Sequence, residues 1–176
     1  MRTRAFVSGL VASAALLAGL AAPSAASSRE HSAPAAATRQ GAEQVPAIGR
    51  RWAAAWLTTD TRDLARLYTK DAVYTDRALG LVFHGRDGVT EWETGSHQLI
   101  DGLRFEVTGG FGGRGEAVVQ GVFSGHIVGA PRPFAVPAVT VLRLRGGLIR
   151  SSEDYYNRGE ILSDSGLPAD WTPAGA

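Results

Sequence analysis

The sequence predicts an α+β domain: a curved antiparallel sheet of about four long strands plus a short strand, wrapped by three helices from its N-terminal half around an internal cavity. Three observations predict it. Helical periodicity is confined to the first half of the folded part, where Ile48, Trp52, Ala55 and Trp56 recur at helical spacing. Four long β-rich segments then follow one another, separated by glycine-rich turns. The last of them ends in Glu153-Asp154-Tyr155-Tyr156-Asn157. An acid flanked by aromatics at a strand end is a way to hold one ionisable group in an apolar cavity. Helices first and antiparallel strands after is the α+β order, with helices on one face of the sheet.

Residues 1–26 stand apart from that domain. Met1-Arg2-Thr3-Arg4 is a basic head, Ala5 to Ala22 carries no charge, and Ser24-Ala25-Ala26 offers the small residues that a signal peptidase reads. The pattern predicts a signal peptide cleaved after Ala26, hence a secreted protein with no stable membrane insertion after cleavage. Residues 27–44 are rich in Ala, Ser and Pro and predict a disordered linker. The folded domain is expected over 45–168, with a flexible tail at 169–176. Counting the leader, 18 basic residues face 17 acidic ones. A near-neutral chain without basic runs argues against nucleic acid as a partner. There is no cysteine, so the core must suffice without disulfides.

The elements follow in order. Val45 to Thr58 reads as an amphipathic helix. Asp60 caps a second helix that presents Leu64, Leu67 and Tyr68 on one face. Ala72 to Asp76 is a short strand, and Val82-Phe83 leads into a third helix over 87–99 with Val89 and Trp92 inward. Strands are expected at 103–108, 116–128, 134–145 and 148–156, and turns at 109–115, 129–133 and 146–147. Pro137 inside the third long strand predicts an edge position or a bulge. Strands bent by bulges and glycines curl, and a curled sheet closed by helices encloses a cavity.

Strand phase selects the cavity face. Phe134, Val136, Ala138, Thr140, Leu142 and Leu144 share one side, with Thr140 its one polar position. On the last strand Asp154 shares a side with Arg150, Ser152 and Tyr156. That alternation is equally compatible with a solvated strand end. Asp76, ahead of Arg-Ala-Leu-Gly, reads as a turn former or as a second cavity carboxyl. Two carboxyls in one apolar cavity would each be raised in pKa by desolvation and by the other's charge. A raised carboxylate can abstract a proton next to a carbonyl near neutral pH. His126 lies mid-strand and is a candidate for the cavity. His84, His97 and His126 lack ligand spacing, and no dinucleotide or phosphate loop is present, so no metal and no cofactor are expected.

Four stretches, LYTKDAVYTD, FHGRDGV, GHIVGAPRPFAVPAVTVLRLRGGLI and EDYYNRGEILSDSGL, resemble the SnoaL-like polyketide cyclase group of the nuclear transport factor 2-like, or cystatin-like cone, superfamily. The resemblance covers about Trp52 to Leu167. It implies a cone with a ligand cavity, and a homodimer through the outer face of the sheet. The general base of the cyclases falls on Asp154, and the histidine that partners it falls on Thr140, a departure from the cyclase pattern. The proton-shuttling aspartate of ketosteroid isomerases falls on Asp76. The Asp-Arg-Asp set of limonene-epoxide hydrolases has no counterpart near Gln120 to Phe123. The reading is therefore a domain that binds a small apolar or polycyclic molecule, catalytic by cofactor-free proton transfer or a non-catalytic binding or dimerisation module. Asp154 and Asp76 are its candidate catalytic groups, and Tyr74, Trp56, Trp92, Thr140, His126 and Tyr156 its candidate ligand contacts.

Overall fold

The computed structural model describes residues 41, 44–58, 60 and 62–173. The expected leader lies outside the described residues, as does the expected linker apart from Gly41 and Gln44. Helix α1 (Ala47–Ala55) buries Gly49, Trp52, Ala53 and Ala55. It is shorter than the periodicity suggests, because the Thr58 hydroxyl donates to the Ala55 carbonyl at 3.0 Å and closes it there. A Cβ on Gly49 would stand 2.7 Å from Val119 Cγ2, so this glycine sets how closely α1 lies on the sheet.

Helix α2 (Arg62–Ala65) is a single turn, capped as expected by Asp60, whose Oδ1 accepts from the Arg62 amide at 3.1 Å. Leu67 and Tyr68 are not on its face, since Tyr68 already begins β1 (Tyr68–Asp76). That strand starts earlier than its local pattern indicates because a distant partner recruits it: the Ile149 amide donates to the Leu67 carbonyl at 2.8 Å. Strand β2 (Leu81–His84) returns along β1 and runs into helix α3 (Gly85–Leu99).

Strands β3 (Ile100–Gly113), β4 (Glu116–Ile127), β5 (Phe134–Arg145) and β6 (Leu148–Tyr156) form the long meander. The glycine run at 109–113 is strand rather than turn, and only Arg114-Gly115 turns. These glycines give passage to the start of α1: a Cβ on Gly110 would meet Val45 Cγ2 at 2.9 Å, and one on Gly112 would meet Pro46 Cγ at 2.6 Å. The six strands form one unclosed sheet in the order β2-β1-β6-β5-β4-β3, with β1 parallel to β6 and the other neighbours antiparallel. The sheet thus has one strand more than the sequence suggests and one parallel pair.

Pro137 is not on an edge strand. It pairs with Val122 of β4, while on its other side β6 ends opposite Ala138 with Tyr156, so no ladder amide is required there. The main core joins α1, α2, β1 and the inner face of the sheet around Trp52, Tyr68, Tyr74 and Leu142. A second cluster, around Phe134, Val136 and Ile161, seats helix α4 (Arg158–Ser165). Asn157 caps α4 by accepting from the Glu160 amide at 3.2 Å, and Gly166 closes it at φ 73°. Part of the expected tail lies back on this cluster: Trp171 packs against it, and its carbonyl accepts from Arg158 at 2.5 Å.

Candidate active site

One row of the sheet assembles the polar groups. Asp154 of β6 is opposite Thr140 of β5 on one side and Asp76 of β1 on the other. Inward phase on β6 depends on a bulge. The register passes from Arg143↔Ser151 to Leu144↔Ile149 and leaves Arg150 as the extra residue. Ile149 and Ser152 are therefore both fully buried, and Arg150 is exposed rather than sharing the face of Asp154. The phase on β5 is as expected, with Phe134, Val136, Ala138, Thr140 and Leu142 buried in alternation.

The carboxyls are held by tyrosines across the parallel pair. Tyr74 of β1 donates to Asp154 Oδ2, and Tyr156 of β6 donates to Asp76 Oδ2 at 2.6 Å. Tyr-x-Asp on β1 meets Asp-x-Tyr on β6, so Tyr74 reaches forward to Asp154 and Tyr156 reaches back to Asp76, each across two residues of the register. The Thr140 hydroxyl donates to Asp154 Oδ1 at 2.6 Å. Asp76 also accepts from the Leu79 amide at 2.8 Å, so it acts both as turn former and as cavity carboxyl. Behind them, Trp52 donates to the Tyr68 hydroxyl at 3.1 Å, which donates to Ser152 Oγ at 2.9 Å.

Aromatic side chains wall the space in front of this row. Trp52, Trp56, Trp92, Phe105, Phe123, Tyr74 and Tyr156 line a cavity of ≈ 430 Å³, its open mouth included, together with Ser96, Leu103, Ala138 and the Asp76-Asp154-Thr140 row. Trp52 meets Trp56 and Phe105 edge-on at 6.2 and 5.2 Å. Burial in these walls pushes Asp154 up to about 7; the Thr140 and Tyr74 hydrogen bonds pull it down, and the Asp76 charge pushes it up. Asp76 is raised too, by burial, against the opposing bond from Tyr156. Tyr74 and Tyr156 are raised by burial and by the neighbouring carboxylates, so they remain protonated donors.

Seven of the eight candidate residues thus meet at one cavity. His126 does not. It is exposed on β4, and its Nε2 bonds the Ala130 carbonyl at 2.8 Å across the following turn. Phe105 and Phe123 were not among the candidates; they are cross-strand partners on β3 and β4. Facing aromatics on adjacent strands were the available signal, but the register that pairs them is not local. Glu93 of α3 was also missed. It is fully buried, among the described residues neither carboxyl oxygen has a hydrogen-bond partner, and burial with the nearby Asp63 and Asp60 charges pushes it up to about 8. It lies outside the cavity lining. Among the described residues no group of three or more His, Cys, Asp or Glu side chains is placed to hold a metal ion.

The sequence profile of the SnoaL-like domain family matches residues 49–152, and the chain belongs to that family. Among solved structures, a protein with a ketosteroid isomerase-like fold from Catenulispora acidiphila, determined in complex with trimethylamine, is 40% identical. The match covers 73% of this chain and 99% of that one, with a TM-score of 0.72. A SnoaL-like protein from Shewanella denitrificans is 17% identical over 66% of this chain and 93% of its own, with a TM-score of 0.60. A phenazine biosynthesis-related protein from Pseudomonas aeruginosa is 16% identical over 73% and 87%, with a TM-score of 0.58. The latter two establish the shared cone fold. No curated protein matches the chain.

Proposed function

We propose that the protein binds a small apolar or polycyclic carbonyl compound in this cavity and moves a proton on it without a cofactor, with Asp154 as the base. The observation that carries the reading is the setting of Asp154: two hydroxyl donors fix its carboxyl in aromatic walls, and burial tunes it to about 7. Its carboxylate takes a proton from the carbon next to the ligand carbonyl, and the electron pair moves onto the carbonyl oxygen as an enolate. The proton then returns to another carbon of the conjugated system, or the enolate carbon attacks a second carbonyl, closes a ring, and the resulting alkoxide takes the proton back from Asp154. Asp76, held by Tyr156, is the second proton carrier. A β,γ-unsaturated ketone tests this reading. Growth of conjugated-enone absorbance, lost in Asp154→Asn, is the expected result; equal rates in the two proteins would remove Asp154 as the base.

A second reading, a non-catalytic binder, has its own support. The 40%-identical protein was determined with trimethylamine. Aromatic faces beside a carboxylate suit an alkylammonium ion. Saturable quenching of tryptophan fluorescence by trimethylammonium, with no ketone turnover, would favour this reading. We also propose export with cleavage after Ala26, which amino-terminal sequencing of culture supernatant would check. A homodimer through the outer face of the sheet, where Val118, Val122, Val139 and Val141 are only half-buried, is a further proposal that sedimentation would check.

A further inference from the structure

We propose that the hairpin end of the sheet carries a second site, for a multiply charged oxyanion. The β3–β4 and β5–β6 turns lie at the same end, since Glu116 of β4 pairs with Arg143 of β5. Between them runs an open groove lined by Arg114, Glu116, Arg143, Leu144, Arg145 and Arg150, with Gly115 at its edge. Four guanidinium groups meet one carboxylate there, in a chain whose overall formal charge is only +1. The concentration is invisible as a run of sequence, because two hairpins and a bulge bring it together.

Two of the four are committed elsewhere. Arg143 bonds Glu153 at 2.5 Å and stands 3.6 Å from Glu116, and Arg145 pairs with Asp71. Arg114 and Arg150 are different: among the described residues neither makes a hydrogen bond or an ion pair. Each is delivered by a backbone irregularity. Arg114 opens a two-residue turn with φ 45°, the one non-glycine residue with positive φ among those described. That position favours Asn or Gly, and an arginine there is strained. Arg150 is the extra residue of the β6 bulge, a device that re-aims a side chain. Two independent departures from regular strand geometry thus direct two free planar guanidinium forks to one groove. Such forks match the paired oxygens of phosphate or carboxylate.

The test is calorimetric titration of the purified protein at low salt with tripolyphosphate and with citrate. One saturable site for either probe, weakening as salt rises, is expected; the tighter probe identifies phosphate or carboxylate as the source chemistry. Arg114→Asn/Arg150→Ala should lose about tenfold or more in affinity, the scale of a lost charge-assisted hydrogen bond. Arg51→Ala/Arg104→Ala, which removes equal charge from α1 and β3, should keep wild-type affinity. Arg114→Asn alone should raise Tm while weakening binding, because Asn tolerates the left-handed backbone. No saturable binding of either probe, or an equal loss in the two double variants, would overturn the site.

Discussion

Asp154 and Glu93 are both carboxyls taken out of water, and both are pushed up for that reason, to about 7 and about 8. Their surroundings differ. Asp154 receives the hydroxyls of Tyr74 and Thr140 and faces a cavity. Glu93 receives no hydrogen bond from the described residues and lies outside the cavity lining, with Asp63 and Asp60 adding repulsion. Desolvation alone raises a carboxyl and leaves it without fixed geometry. Donated hydrogen bonds hold it in one orientation and restrain the rise. A base needs both effects, so a raised pKa by itself does not mark one.

The sharpest test of that contrast is Asp154→Asn against Glu93→Gln. The first should reduce proton-transfer turnover by roughly 10²–10⁴-fold, the usual contribution of a general base. The second should leave it unchanged. Stability should respond with a definite sign. A folded pKa raised above the unfolded value means stability that is fully present below the unfolded pKa and is lost as pH rises through the folded one. For Asp154 that window runs from 3.8 to about 7. Asp154→Asn should therefore flatten the decline in stability across it, and urea titrations at pH 4 and pH 8 would measure the difference. Loss of turnover in Glu93→Gln would break the contrast.

Glu93→Leu is the next largest effect. An unsatisfied buried polar group costs about 1–3 kcal/mol by mutational measure, so the leucine variant should be more stable by an amount of that order. The gain should grow with pH through about 8, the upper limit of the Glu93 window, which begins at 4.5. Thermal melts at pH 5 and pH 9 check both statements. A destabilised variant at both pH values would mean that Glu93 has a partner, such as a bound water, in solution.

Thr140→Val takes one donor from Asp154 and keeps the shape. The Thr140 bond lowers the Asp154 pKa, so its removal should move the base-limited edge of the pH–rate profile to higher pH. The stability loss should be about 1 kcal/mol. An unmoved edge would place the working base elsewhere.

Much of this arrangement was readable from residues alone, and the failures share a cause. The β5 phase followed from strict alternation, and the boundaries of β5 and β6 from the glycine turns beside them. These are local signals. The early start of β1, the strand character of 109–113 and the burial of Ile149 together with Ser152 all depend on partners far away in sequence. The Arg150 bulge shows the limit most clearly. Alternation assigned Arg150 to the face of Asp154, and one extra residue reversed the phase, leaving Arg150 outside and Ile149 inside. Glu93 was missed because a glutamate on a helix is ordinarily solvated, and its burial depends on packing of α3 against elements that its local sequence does not reveal.

The smallest expected effect concerns His126. Its mid-strand position makes it a cavity candidate, but it is exposed and bonds the Ala130 carbonyl across the β4–β5 connection. His126→Ala should cost only the net value of one hydrogen bond in an accessible setting, about 0.5–1 kcal/mol. Affinity for a cavity ligand should not change, because nothing of His126 contributes to the lining. Trp56→Ala, which removes part of the wall, provides the contrast and should weaken binding measurably. The pair separates the two faces of the cone. If His126→Ala weakens the ligand as much as Trp56→Ala does, the mouth of the cavity must extend over the C-terminal end of β4. The assignment of Asp154 as the nearest base to a bound ligand would then have to be reconsidered from that side.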